Sequence, residues 1–205
     1  MTLPSSIYLA SKSPRRGDLL RQLGVEFTEL RLREADGRER DVVEGPRPHE
    51  AARDYVIRIA RTKALVAWHR MGQRQLPPLP VLAADTEVIL DGAIFGKPVD
   101  RTDATRMLEA LSGRTHEVIT ALYLKWDHVI EGAVSTSRVT FRTLSATDIE
   151  RYCATDEPLD KAGAYAIQGR AAGFISHLDG SYSGVVGLPL FETAQILTRV
   201  GHAVL

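Results

Sequence analysis

The sequence predicts a mixed α/β or α+β fold built on a mixed sheet, and three observations carry that expectation. Short apolar runs, the segments from Ile7 to Ala10 and from Val81 to Ala84, have the length of buried strands. Between them, residues 50–71 repeat apolar side chains at helical spacing. Strands and helices then follow one another without the regular βαβ alternation of a Rossmann or barrel design.

The first strand is expected from Ser6 to Ala10. After a turn, Pro14 opens a helix to Leu23, because proline suits the first helical position and Gly24 suits the position just past the end. Leu19, Leu20 and Leu23 are its buried stripe. Residues 29–47 are charged and irregular, broken by Gly37, Gly45 and Pro46, and are expected as a mobile loop. From Glu50 to about Met71, Ala52, Tyr55, Val56, Ile59, Ala60, Lys63 and Ala67 recur at helical intervals. Three prolines between Gly72 and Pro80 interrupt the chain before the strand at Val81–Ala84. Glu87–Leu90 and Ala93–Phe95 flank Asp91 and Gly92, a strong hairpin signal. A helix from about Thr102 to Leu111 ends at Gly113, and strands are expected at His116–Lys125 and Ile130–Thr143. Ser145 and Asp148 have the capping-box spacing and open a helix to about Thr155. A strand at Gly173–Leu178 and a helix at Pro189–Val200 complete the chain.

With 205 residues, the chain is expected to form a single domain, 1–205, or two tightly joined lobes. A chain of this size buries roughly 70% of its unfolded surface and needs no metal or disulfide for stability. The 26 basic and 26 acidic residues balance, which argues against a nucleic-acid partner. Cys153 is the only cysteine, so a disulfide framework and a multi-cysteine zinc site are excluded. No apolar run approaches the ~20 residues of a membrane helix, and charge begins early at Lys12, so a soluble, cytoplasmic protein is expected. The six histidines lack metal-ligand spacing, and neither a P-loop nor a GxSxG motif is present.

Ser11, Lys12, Ser13, Pro14, Arg15 and Arg16 place hydroxyls and cations at a strand-to-helix junction. Free N–H groups and the positive dipole end of a helix start attract anions, and arginine adds forked donors matched to phosphate. Lys63 borders the buried face of the long helix, and Lys97 follows Gly96 where the hairpin ends. Asp85 closes an apolar strand, where a carboxylate is costly unless paired or bound to a cation. It is suited to hold Mg²⁺ or orient a water. Glu34 and Asp36, in the charged loop, are candidates for a second carboxylate. Small residues around Tyr165 and Gln168 leave room for a planar ligand, and an amide offers the paired donor and acceptor that a pyrimidine edge requires.

Six segments, LASKSPRR (9–16), ADT (84–86), GKP (96–98), SGRTHEVIT (112–120), DEPLDKAGAYAIQG (156–169) and GSYSGVVGLPL (180–190), occur in the order found in the Maf family. The chain resembles that family from about Ile7 to Leu197. The resemblance implies an elongated mixed sheet flanked by helices, with two lobes around a deep cleft, similar to inosine triphosphatases. It also implies a nucleoside triphosphate pyrophosphatase in which water attacks the α-phosphorus, with a divalent cation, Mg²⁺ or Mn²⁺, as cofactor. By position, Ser11, Arg16, Lys63 and Lys97 match phosphate-binding residues, and Asp85 matches the catalytic carboxylate and a metal ligand. Asp36 is the first choice for the acidic residue before the long helix, and Glu34 the second. Arg15, Thr86 and Gln168 match the branch that acts on dTTP and UTP. The implied partner is a nucleoside triphosphate, with no nucleic acid or membrane, and the chain is expected as a monomer or homodimer. The alternative implied by the same family is a nucleotide-binding regulator of cell division, an inhibitor of septum formation with incidental hydrolysis. Ala166 departs from the family's usual glycine, and the loop at 35–48 is longer than usual.

Overall fold

A computed structural model describes residues 5–33, 41–202 and 204. It is mixed α/β: a seven-stranded mixed sheet with helices, as the sequence pattern predicts. β1 (Ser6–Leu9) leads into α1 (Pro14–Gln22), with Pro14 in the first turn and Gly24 at φ 70° just beyond. β2 (Glu26–Glu29) then returns parallel to β1, pairing Ser6 with Glu26 and Leu9 with Glu29. This strand has no counterpart in the sequence reading. Its single apolar residue, Phe27, gives no periodic signal, and backbone pairing with the buried β1 recruits it.

α2 (Ala52–Gln73) buries Tyr55, Val56, Ile59, Ala60 and Ala67 of the expected stripe together with Ala64 and Met71, while Ala52 and Lys63 are half-buried at its margin. β3 (Val81–Leu90) is one continuous strand, where the sequence suggests two pieces around Asp85 and Thr86. β4 (Ala93–Phe95) folds back on it through Asp91 and Gly92, whose positive φ values of 51° and 78° are what the tight turn demands. α3 (Arg101–Leu111) is capped by the Asp100 side chain, which accepts from the Asp103 N–H. β5 (Thr115–Trp126) and β6 (Val129–Phe141) precede α4 (Ala146–Cys153), and Ser145 and Asp148 form the expected reciprocal capping box. β7 (Ile175–Asp179) pairs antiparallel with β6. α5 (Tyr182–Val186) and α6 (Leu190–Arg199) follow.

The strand order is β2-β1-β3-β5-β6-β7, with β4 paired to β3 off this path. β1 runs parallel to β2 and β3, whereas the β3–β4 and β6–β7 pairs are antiparallel. By contact density the chain divides into two compact units. The first comprises the described residues of Met1–Asp85, Thr120–Val134 and Gly187–Leu205, the second Thr86–Ile119 and Ser135–Val186. In the first unit Tyr8, Ala10, Leu30, Ala64, Ala67, Met71, Val81 and Ala83 pack α2 against the β1–β3 pair. The core of the second gathers apolar side chains of α3 and α4 around Phe141, Tyr165 and Phe174. Full burial of one such large apolar side chain contributes about 1.5–3 kcal/mol. Among the described residues no helix is long and apolar enough to cross a membrane.

Candidate active site

The first unit positions its polar residues through the register of two parallel strands. Leu9 of β1 pairs with Leu82 of β3, and the Ala10 N–H donates to the Leu82 carbonyl at 2.8 Å. Ser11 lies two residues beyond Leu9 and Asp85 three beyond Leu82, so both occupy the region past the carboxyl end of β1. In open α/β sheets the carboxyl ends of parallel strands are where ligands bind.

The strand-to-helix turn is internally organised. Ser11 Oγ accepts from the Ser13 N–H at 3.1 Å and from Arg16 Nη1 at 3.2 Å. Arg16 Nε donates to the Gly187 carbonyl at 2.8 Å. Two fixed acceptors therefore set the direction of the guanidinium on the first turn of α1. Arg15 is half-buried beside it, and Lys12 is exposed.

The chemistry concentrates at Lys63. Its ammonium lies 2.8 Å from Asp85 Oδ1 and 2.6 Å from Glu44 Oε1. The Lys63 and Asp85 side chains are only 16% and 10% exposed, so the pair is shielded from water, while Glu44 is 53% exposed and reaches in from the solvent side. Burial by itself depresses the pKa of Lys63, but Asp85 and Glu44 outweigh it and hold the ammonium above its ordinary value. Lys63 is a permanent cation here.

Asp85 Oδ2 is buried and has no hydrogen-bond partner among the described residues. A buried carboxylate oxygen without a donor is costly, and a carboxylate oxygen of this kind is a natural ligand for a hard cation or a water. No group of three or more His, Cys, Asp or Glu side chains gathers at one point among the described residues. That arrangement is compatible with Mg²⁺, which takes one or two protein carboxylates and completes its shell with waters and substrate phosphates.

Of the expected residues, the structure joins Ser11 to Arg16 and Lys63 to Asp85 by direct contacts. Glu34 and Asp36 lie outside the described residues. Glu44 is the carboxylate that meets Lys63, and sequence reasoning passed over it. Its only local signal is its place shortly before α2, which it shares with Glu34, Asp36, Glu39 and Asp41. Of the segment expected as a mobile loop, the described stretch from Asp41 onward is tied down at several points. The fully buried Asp41 carboxylate accepts from Arg33 and Arg70, and Arg58 binds both Glu50 and the Gly45 carbonyl. Ion pairs rather than apolar burial anchor this stretch, which is why its composition reads as a loop.

The second unit carries Thr86, Lys97 and Gln168. Thr86 is half-buried on β3, Lys97 is exposed after β4, and Gln168 is exposed between buried Ile167 and half-buried Gly169. The loops of Lys97 and Gln168 are tied together where the Gly163 N–H donates to the Gly96 carbonyl at 3.1 Å. Gly163 sits at φ 68°, and a Cβ there would lie 2.8 Å from Val88 Cγ2, so only glycine allows this approach. Ala166, the departure from the family's usual glycine, is not among the residues with positive φ, so its backbone does not call for glycine.

A family model described as "Maf-like protein" matches residues 6–200. The dTTP/UTP pyrophosphatase of Nitrosomonas europaea is 56% identical over 198 residues, covering 97% of this chain and 96% of that protein. That of Bordetella avium is 55% identical over 197 residues, 96% of each chain. The dTTP/UTP pyrophosphatase of Aromatoleum aromaticum is 51% identical over 201 residues, 98% of each chain.

Proposed function

This chain belongs to the Maf family, and we propose that it hydrolyses dTTP and UTP to the nucleoside monophosphate and pyrophosphate. The observation that carries the reading is the shielded Lys63 held between Asp85 and Glu44, beside an Asp85 oxygen with no hydrogen-bond partner among the described residues. The relatives named dTTP/UTP pyrophosphatase extend over nearly the full chain, which supports the same activity and not a purely regulatory role.

In this reading Ser11, Arg16 and Lys63 of the first unit bind the triphosphate, and the family resemblance assigns the same role to Lys97. Arg16 offers forked donors already oriented by Ser11 and Gly187. Lys63 offers a fixed positive charge. Asp85 orients a water toward the α-phosphorus and accepts its proton as the new P–O bond forms and the α–β phosphoanhydride bond breaks. The bridging oxygen leaves with pyrophosphate. A divalent cation, Mg²⁺ or Mn²⁺, would be held by Asp85 Oδ2 together with Glu44 and the substrate phosphates. When bound, it supplies charge neutralisation on the phosphates and acidifies a coordinated water. Arg15, Thr86 and Gln168 select the substrate, with the Gln168 amide matching the donor and acceptor edge of uracil or thymine.

A panel of canonical nucleoside triphosphates, assayed with Mg²⁺ and separately with Mn²⁺, tests this reading by product identity. The expected result is pyrophosphate and monophosphate from dTTP and UTP in preference to purine triphosphates. Release of inorganic phosphate, or preference for a purine triphosphate, contradicts it.

A further inference from the structure

We propose that Tyr152 and Glu157 are positioning residues for substrate selection, because together they clamp the backbone on both sides of Gln168. The inference rests on the reading of Gln168 as the side chain that selects the base. Tyr152 projects from α4 into the core of the second unit and is 3% exposed. Its hydroxyl donates to Glu157 Oε1 at 2.9 Å and accepts from the Ala166 N–H at 3.3 Å. The other carboxylate oxygen, Glu157 Oε2, accepts from the Arg170 N–H at 3.2 Å. One tyrosine–glutamate pair thus fixes the backbone at Ala166 and at Arg170, two residues to either side of Gln168.

Two further features tighten the clamp. The Gly169 N–H donates to the Ala166 carbonyl at 3.0 Å and closes the turn beneath Gln168. A Cβ on Gly169 would come within 2.2 Å of Glu157 Oε1, so glycine at this position is what lets the carboxylate approach. Burial, together with the bond to Glu157, keeps the Tyr152 hydroxyl protonated far above neutral pH, so it remains a donor.

The exposed Gln168 amide reads a base edge only if its backbone is held in place, and the partly buried Tyr152–Glu157 network supplies that rigidity. A network that served stability alone would lower the melting temperature when broken but leave the choice of base unchanged.

The test measures kcat and KM for dTTP and dGTP, with melting temperature, in the full chain. Five proteins are compared: wild type, Tyr152→Phe, Glu157→Gln, Gln168→Ala and the Tyr152→Phe/Gln168→Ala double variant. Phenylalanine keeps the ring packed edge-on against Phe174, 5.2 Å between centroids, and removes only the hydroxyl. The expected result is a fall of roughly three- to tenfold in the dTTP-to-dGTP ratio of kcat/KM for Tyr152→Phe, the size of one ordinary hydrogen bond. The change should come mainly through KM for dTTP and should vanish in the Gln168→Ala background. Glu157→Gln retains an acceptor for Tyr152 but not for Arg170, and should fall between wild type and Tyr152→Phe. If Tyr152→Phe does not fold, a lowered ratio in Glu157→Gln carries the inference and an unchanged ratio overturns it. A wild-type ratio in Tyr152→Phe beside a lowered one in Gln168→Ala overturns the inference and leaves the reading of Gln168 standing. Additive losses in the double variant also overturn it. An unchanged ratio in Gln168→Ala overturns that reading, and the inference with it.

Discussion

Lys63 and His116 show how a neighbour decides what burial does to a basic side chain. At Lys63 burial opposes the charge, but Asp85 at 2.8 Å and Glu44 at 2.6 Å outweigh it and the ammonium persists. His116 is also buried, 2% exposed, yet its Nε2 meets the Tyr165 hydroxyl at 2.8 Å and its Nδ1 has no partner among the described residues. With no carboxylate to offset it, burial pushes the imidazole from 6.5 down to about 4. Because the folded value lies below the unfolded one, the unfolded chain takes up the proton first. The contribution to stability is therefore whole above pH 6.5 and is lost as the pH falls toward 4. The expected loss from this residue is about 3 kcal/mol. Urea unfolding at about pH 7 and about pH 4.5 checks it: His116→Gln should lose clearly less stability on acidification than wild type. Equal losses in both would contradict the account of His116.

At the scale of elements, the segment from Asp41 to Glu50 is organised by charge. Asp41 has a fully buried side chain between Arg33 and Arg70, and the guanidinium of Arg58 holds the Glu50 carboxyl down at about 2. Both anchors flank Glu44, which faces Lys63. Asp41→Ala is expected to cost about 2 kcal/mol, the size of a charge-assisted hydrogen bond lost, measured by urea unfolding. It should also lower kcat/KM for dTTP toward the value of Glu44→Gln, because the segment that delivers Glu44 loses its tie. A stable but fully active Asp41→Ala protein would show that the tie does not serve Glu44.

The same segment marks where sequence reading stops. The start of α1 at Pro14, the Ser145 capping box and the turn at Asp91 and Gly92 were legible because each rests on chemistry local to a few residues. Asp85 was legible because an acid ending an apolar run is conspicuous. β2 was not, since three of its four residues are polar and its pairing partner lies some twenty residues earlier in the chain. Glu44 was hidden among equivalent acids, and only the position of α2 distinguishes it. Tyr152 and Glu157 were invisible as a clamp for a different reason: the Ala166 and Arg170 N–H groups they hold come from the backbone, which carries no residue identity.

At the scale of the whole molecule, 26 basic and 26 acidic residues leave no net charge at pH 7. On the proposed function, phosphate binding rests on a local arrangement, for which the ordered cations of the first unit, Arg16 and Lys63, are the candidates. A neutral chain also lacks the repulsion that keeps proteins apart in solution, so polyethylene glycol precipitation should show a solubility minimum near about pH 7. A solubility that rises monotonically through neutrality would contradict this. The sheet supplies the remaining condition, because adjacent parallel strands β1 and β3 bring Ser11 and Asp85 to the same region from positions far apart in the chain.

In the proposed function Asp85, paired with Lys63, drives pyrophosphate release from dTTP and UTP. Asp85→Asn keeps the shape of the side chain and removes its charge. With dTTP and a divalent cation, its kcat for pyrophosphate release should fall by about 10²–10⁴-fold, the usual contribution of a positioned general base, while its melting temperature shows a folded protein. A folded Asp85→Asn protein that releases pyrophosphate at near wild-type rate would contradict the claim.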